Sequence, residues 1–242
     1  MKTWFISDLH LDAQQPRVIR TFLAFAESLA GQADALYILG DFFEYWVGDD
    51  TLQADESGFA PVIQVLSDLH DSGVRLYFQH GNRDFLVGER FAQMTGCELL
   101  PEQHIADLYG TPTLLMHGDS LCTDDAEYQQ ARRVLRHPQW QQQFLAQPLA
   151  ERIRQAQAMR SQSRNAMQGK AYEILDVNQQ AVQMALQQAG VTCLIHGHTH
   201  RPAIHEWQDA TGNKLQRVVL GDWHESRPSY LCVDAQNLDL HY

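Results

Sequence analysis

The sequence predicts an α/β fold: an αββα sandwich of two mixed β-sheets packed face to face with helices outside, interrupted by an inserted helical cap. Three observations predict it. Apolar runs of strand length alternate with amphipathic helical patterns in the first part of the chain, helical signals alone follow between Asp124 and Gly190, and strand-length runs return in the tail.

In order, residues 3–7 read as a strand, 17–30 as a helix, 35–39 as a strand, 58–71 as a helix and 74–79 as a strand, which is the rhythm of βαβ units. A further helix is expected over 85–94. The runs 105–108 and 113–116 flank the turn signal Tyr109-Gly110 and read as a hairpin. Beyond Asp124, Pro138 and Pro148 each stand where a proline can open a helix, and Trp140, Phe144, Leu149 and Ile153 recur at roughly helical spacing. Ser161, Ser163, Asn165 and Gly169 read as loop, after which a long helix over 171–189 stops at Gly190. Strands are expected at 191–195, 203–207, 215–220, 230–233 and 238–242. The predicted organisation is a core of residues 1–121 and 170–242 carrying a cap insertion of residues 122–169.

At 242 residues and 44% hydrophobic, the chain can bury one large core. Its start has no basic region, long apolar run or small-residue cleavage site, so the expectation is a cytoplasmic protein. No apolar run approaches the roughly 20 residues that span a bilayer, so membrane contact would be peripheral. Cys97, Cys122, Cys193 and Cys232 lack metal or redox spacing and read as buried, reduced thiols. The net charge of −12 argues against a general nucleic-acid surface. The charge is unevenly spread: from Arg132 to Lys170 there are eight Lys/Arg and one acid, Glu151. That island reads either as a solvated helix face or as a surface for a phosphorylated ligand or anionic membrane.

Chemistry-bearing residues follow five of the strand-like runs: Asp8-Leu9-His10, Gly40-Asp41, Gly81-Asn82-Arg83-Asp84, His117-Gly118-Asp119 and Gly197-His198-Thr199-His200. Strand ends can converge on one edge of the sheets, and a glycine beside a ligand allows tight turns and close backbone approach. Imidazoles, carboxylates and an amide oxygen form a mixed N/O set that suits divalent Mn, Fe, Zn or Co more than Ca. Each motif alone is weak, since Gly-Asp recurs at Gly48-Asp49 and Gly221-Asp222. Five in one order at strand ends are specific.

Together these blocks resemble the calcineurin-like metallophosphoesterase superfamily, whose pattern is Asp-x-His, Gly-Asp, Gly-Asn-His-Asp/Glu, His and Gly-His-x-His. The resemblance implies one metal ion on Asp8, His10, Asp41 and His200 and a second on Asp41, Asn82, His117 and His198. Two positions depart from the pattern. Glu44 stands where an Asp is common and receives no ligand role; Arg83 stands in place of a His. His196, inside the strand before the last motif, reads as structural or as support for a ligand.

The longer strings around Gly40 to Glu44, Gly81 to Asp84, His117 to Asp125 and His196 to Pro202 are similar to one branch, the UDP-2,3-diacylglucosamine diphosphatases of lipid A biosynthesis in Gram-negative bacteria. That resemblance implies hydrolysis of a lipid-linked nucleotide sugar, UDP-2,3-diacylglucosamine, to UMP and 2,3-diacylglucosamine 1-phosphate (lipid X). It implies two divalent ions, usually Mn²⁺, and a peripheral position on the cytoplasmic face of the inner membrane, held through the cap. Asn82, Arg83, Asp125, Tyr128, Arg160, Ser163, Lys170 and His198 are the implied substrate contacts. Arg83 is the catalytic one among them, stabilising phosphoryl charge where a phosphate leaving group needs little protonation. Trp140, Phe144, Leu145, Leu149 and Ile153 are candidates for an acyl-chain chamber. The competing readings are an enzyme for other phosphodiesters and a noncatalytic scaffold. A nuclease would need a broad basic track, whereas only the cap is basic, and a scaffold would be expected to have lost a ligand.

Overall fold

In the computed structural model, residues 2–53, 58–167, 174–225 and 227–242 are described. The chain begins β1 (Thr3–Ile6), α1 (Pro16–Leu29), β2 (Ala35–Leu39), α2 (Ala60–Asp71), β3 (Arg75–Gln79), α3 (Glu89–Thr95) and β4 (Cys97–Leu100). It continues through β5 (His104–Leu108), β6 (Thr111–Leu115), α4 (Ala126–Leu135), α5 (Pro138–Leu145), α6 (Leu149–Met167) and α7 (Gln179–Ala189). The tail adds β7 (Cys193–His196), β8 (Ala203–Gln208), β9 (Lys214–Val219), β10 (Tyr230–Val233) and β11 (Leu238–His241).

The strands form two mixed sheets, ordered β11-β10-β1-β2-β3-β4 and β5-β6-β7-β9-β8. In the first, β1 to β4 run parallel and β10 and β11 antiparallel; in the second, β6, β7 and β9 are parallel. Side-chain alternation builds the layers. Along β2, Leu36 and Ile38 face α1 and α2 beside Phe22, Val62 and Leu66, while Tyr37 and Leu39 meet Leu115, Ile195 and Val218 of the other sheet. The rings of Phe5, Tyr37 and Tyr77 stack along that seam at 4.9 and 4.4 Å. On the far side, α7 lays Val182, Ala185 and Leu186 against Leu114 and Leu194. Each fully buried side chain of this size contributes roughly 1.5–3 kcal/mol, so these apolar layers carry the fold and leave the strand ends free for polar chemistry.

Four local expectations are corrected. β4 went unrecognised because Cys-Glu-Leu-Leu shows no alternation, and it pairs on one side only, with β3. The helix expected over 85–94 starts at Glu89, after a turn in which the N–H of Val87 bonds the carbonyl of Asp84. The loop expected around Ser161 to Asn165 is helical. There α6 carries on from a stretch whose Ala156 and Met159 pack on the core, and Ser161 Oγ satisfies itself within the helix by donating back to Gln157 O at 3.1 Å. The helix expected from 171 starts at Gln179, capped by the Asn178 side chain. Asp176 instead turns toward Arg201 and Arg217. Residues 168–173, including Gly169, Lys170 and Ala171, lie outside the described residues. The four cysteines are unbonded and buried. Burial pushes the Cys97 and Cys122 thiols up to about 12, which makes them inert. Among the described residues no helix is long and apolar enough to cross a membrane.

The basic island is not simply a surface. Arg132 pairs with Asp119 and Glu102, Arg136 donates to Gly81 O at 2.8 Å, Arg152 binds Asp50 and Val47 O, and Arg160 pairs with Glu44. These four arginines point inward and fasten α4 and α6 to the layers beneath. Arg152 is 2% exposed, with Nε donating to Gln147 O at 3.0 Å. Arg152→Ala should therefore cost about 2–3 kcal/mol in urea denaturation, because it strands buried carbonyls, the half-exposed Asp50 being rescued by water. Arg154, exposed and paired with Glu151, should cost under about 0.5 kcal/mol. Equal losses would mean that Arg152 is not an anchor.

Candidate metal centre

All five sequence motifs lie just past the C-terminal ends of parallel strands: after β1, β2 and β3 in one sheet and after β6 and β7 in the other. The β1 and β2 exits stay zipped together beyond the strands, with Asp8 N to Gly40 O at 3.0 Å, His10 N to Asp41 O at 3.0 Å and Leu11 N to Phe42 O at 2.9 Å. Two glycines bring neighbouring exits into contact. A Cβ on Gly81 would lie 2.2 Å from Asp41 N, and one on Gly197 would lie 2.0 Å from Ser7 Oγ.

Six non-glycine residues among those described have positive φ, and five of them are Asp8, His10, Asp41, His198 and His200, at 49° to 67°. A non-glycine residue in the left-handed region is held there by its surroundings at a cost of order 1 kcal/mol or more, and such residues cluster at functional sites.

The strained backbone aims ligand atoms at two points. In one cluster, Asp8, His10 and His200 each offer an atom within 4.8 Å of the others. His10 Nε2 and His200 Nε2 face each other at 3.3 Å, and Asp8 Oδ1 lies 3.3 Å from the latter. In the other, Asp41, His117 and His198 converge likewise, and His117 Nε2 lies 3.1 Å from Asn82 Oδ1 and 3.6 Å from Asp41 Oδ1. Asp8 Oδ2 accepts from Ser7 Oγ at 2.6 Å and from His198 N at 2.8 Å, while its buried Oδ1 makes no well-aligned hydrogen bond. An orphaned carboxylate oxygen facing two imidazole nitrogens is a donor set that fits a divalent cation.

Electrostatics point the same way. Burial opposes charge on Asp8, yet His200 holds its carboxyl well below the usual range. Burial also opposes charge on His200, yet Asp8 and Asp222 raise its pKa to about 10. Burial, then neighbouring His117, lowers His198 to about 4.

Behind the ligands stand residues the sequence reading passed over. His117 Nδ1 donates to Leu39 O at 2.8 Å, His10 Nδ1 lies 3.1 Å from Glu44 Oε2, and His200 Nδ1 lies 3.5 Å from Asp222 Oδ2. For His117 and His200 an acceptor at Nδ1 fixes the proton there and turns Nε2 toward the centre, while the Glu44 carboxylate lies close behind His10 without hydrogen-bond alignment. Gly221-Asp222, which looked like a chance Gly-Asp, thus sits behind a ligand. Asp84, fully buried, gathers the N–H groups of Phe42 and Gly81 at 2.7 and 2.8 Å and so ties the β2 exit to the β3 exit. Burial, then Asp41, pushes its pKa up to about 6. His196 is buried, with Nδ1 donating to Gly197 O at 2.8 Å, and burial lowers it to about 3.

One cavity of about 880 Å³ opens over the ligands. His10, Asp41, Asn82, Arg83, His198 and His200 are among its lining residues. Asp8 and His117 lie buried beneath. Arg83 Nε is buried and has no hydrogen-bond partner among the described residues, while its backbone N–H bonds Asp41 Oδ1 at 2.8 Å. Asp125, Tyr128, Arg160 and Ser163 line it too. Asp125 Oδ1 also caps α4 at Tyr128 N, and Tyr128 OH donates to Asp119 at 2.7 Å. Lys170 is outside the described residues. Of the apolar candidates, Trp140 and Phe144 reach the cavity wall. Leu145 is 41% exposed, and Leu149 and Ile153 pack on the helical face of the first sheet instead. Trp46, Phe85, Leu86 and Met159, which sequence periodicity did not single out, complete the wall.

The calcineurin-like phosphoesterase profile matches residues 1–202. Among curated relatives, a protein of Serratia proteamaculans (strain 568) named UDP-2,3-diacylglucosamine hydrolase is 51% identical, over 99% of this chain and 98% of its own length. Proteins of the same name from Escherichia coli O81 (strain ED1a) and Pseudomonas paraeruginosa (strain DSM 24068 / PA7) are 50% and 49% identical, covering 99% and 92% of this chain and 98% and 91% of their own. With its ligands at the ends of parallel strands in two sheets and a profile match over most of its length, the chain belongs to the calcineurin-like phosphoesterase family.

Proposed function

We propose that this chain hydrolyses the diphosphate of UDP-2,3-diacylglucosamine to UMP and 2,3-diacylglucosamine 1-phosphate, a step of lipid A biosynthesis. It uses two Mn²⁺ ions and works as a peripheral protein on the cytoplasmic face of the inner membrane, with the cap toward lipid. The observation that carries this reading is one cavity lined both by the convergent His, Asp and Asn side chains and by the apolar side chains of Trp46, Phe85, Trp140, Phe144 and Met159. A substrate joining a diphosphate to acyl chains needs both kinds of lining. The name borne by relatives of about half-identical sequence supports it.

In this reading residues 1–121 and 170–242 form the core and 122–169 the cap. Asp8, His10, Asp41 and His200 hold one ion, and Asp41, Asn82, His117 and His198 the other. Bound there, the ions supply Lewis acidity and a nucleophile at neutral pH. Asn82 and His198 also touch the phosphoryl group, and Arg83 stabilises the charge that builds on its oxygens. The departing sugar phosphate is a weak base and leaves without a proton. Asp125, Tyr128, Arg160, Ser163 and Lys170 hold the glucosamine phosphate.

Hydrolysis assays on UDP-2,3-diacylglucosamine and a panel of phosphodiesters, with and without Mn²⁺, test the proposal. Fast, Mn²⁺-dependent turnover of the lipid nucleotide alone is expected; equal rates across the panel would overturn it. Removing the acyl chains should raise KM about 100-fold, since each buried CH₂ is worth about 0.8 kcal/mol and part of that is offset by ordering the chains. Equal kinetics on UDP-glucosamine would defeat the acyl-chain assignment.

A further inference from the structure

We propose that Glu44 is a positioning residue shared by the metal centre and the cap, one carboxylate oxygen setting the ring of His10 and the other holding Arg160 of α6. Glu44 is 5% exposed. Its Oε2 lies 3.1 Å from His10 Nδ1, and its Oε1 forms an ion pair with the Arg160 guanidinium. Its backbone is clamped beside the ligand loop. Glu44 N donates to Leu11 O at 3.0 Å, and Leu11 bridges Phe43 in parallel register. The side chain therefore has little freedom to serve any other pair of partners.

A buried carboxylate is tolerated where both oxygens are engaged. Here one lies 3.1 Å from the ring nitrogen of a candidate ligand histidine, close but not aligned as a hydrogen bond, and the other is ion-paired with the cap. A carboxylate this close behind Nδ1 favours a proton on that nitrogen and so leaves Nε2 for an ion. Arg152, two helical turns before Arg160, binds Asp50 and Val47 O. The same stripe of α6 is thus pinned to the core at two points, and the second pin is the group that orients a ligand. Loss of Arg160 from Glu44 changes the charge behind His10, and a turn of His10 changes the hold on α6. Ion binding and cap placement are therefore linked, and by linkage the effect is reciprocal. This inference rests on the assignment of His10 as a ligand under the proposed function.

The test uses Mn²⁺ alone, titrated calorimetrically into metal-stripped wild type, Glu44→Ala, Glu44→Gln and Asp8→Ala, with circular dichroism to confirm folding. Amide hydrogen exchange over residues 156–163 is measured on the same proteins. Glu44→Ala should weaken one of two Mn²⁺ sites by about 10- to 100-fold, spare the other, and speed exchange around Arg160. In Glu44→Gln the single amide oxygen can accept from His10 or from Arg160 but not both, so at most one readout should recover. Unchanged ion affinity or unchanged exchange in Glu44→Ala overturns the proposal, as does recovery of both readouts in Glu44→Gln. If Asp8→Ala loses a Mn²⁺ site while Glu44→Ala keeps both, the ligand assignment stands and the role of Glu44 falls. If Asp8→Ala keeps both, the ligand assignment fails and the coupling fails with it.

Discussion

Asp41→Ala should lose more than about 1,000-fold in kcat/KM while the protein stays folded. Loss of one preorganised charge-stabilising group from an active site already costs 10²- to 10³-fold, and Asp41 is assigned to both ions. Its Oδ1 lies 3.6 Å from His117 Nε2 in one ligand cluster, and its backbone carbonyl accepts from the N–H of His10, a ligand of the other. Without the carboxylate the ions would repel each other across a buried site. The apolar layers do not depend on it, since among the described residues its side chain otherwise receives only the N–H of Arg83, at 2.8 Å. Asp41→Asn separates the two roles, because the amide oxygen still accepts from Arg83 N while the charge is gone. Both variants should be inactive in saturating Mn²⁺ with melting temperatures near wild type. Near-wild-type turnover of purified Asp41→Ala would remove the assigned site.

Arg83→Ala should lower kcat by about 100- to 1,000-fold with both metal sites retained. The guanidinium lines the cavity beside the ligands. It is not held by the neighbouring Asp84, whose oxygens are taken by backbone N–H groups of Gly81 and Phe42. A buried Nε with no partner on a cavity wall is suited to an incoming anion. Arg83→Lys should recover part of the loss, since an ammonium lacks the planar fork of the guanidinium. A guanidinium cannot give up a proton near neutral pH, so wild type should be steeply sensitive to leaving-group basicity. Rates on phosphodiesters of graded leaving-group pKa, for wild type and Arg83→His, check this. A flat wild-type series, or an unaffected Arg83→Ala enzyme, would make Arg83 structural.

The convergence of these His, Asp and Asn side chains was legible because a short apolar run closed by such a residue is a local signal, and five such signals in order point to one strand-end site. Their left-handed backbone was not legible. Nothing in Asp8-Leu9-His10 announces positive φ, which the zipped β1 and β2 exits impose from outside. Glu44 and Asp222 were passed over for a related reason: their value lies in which histidine they stand behind, and only tertiary structure decides that. The inward turn of the basic island was partly readable. Arg152, Ala156 and Arg160 fall at i, i+4 and i+8, on one stripe of α6, so a charged face could have been recognised as a docking face. β4 and the continuation of α6 through Ser161 were missed because packing, more than propensity, decides short edge strands and helix ends.

β1 lies inside its sheet between β2 and β10, and His10 meets His200 across 190 residues of chain. Pairings so distant in sequence are slow to form, because the loop they close must be ordered before any contact rewards it. A growing chain therefore carries Asp8, His10, Asp41 and Asn82 long before their partners from the β7 exit exist. Until that late strand docks, no nascent chain brings His198 and His200 to the residues gathered at the β1, β2 and β3 exits, so the site is assembled only near the end of synthesis.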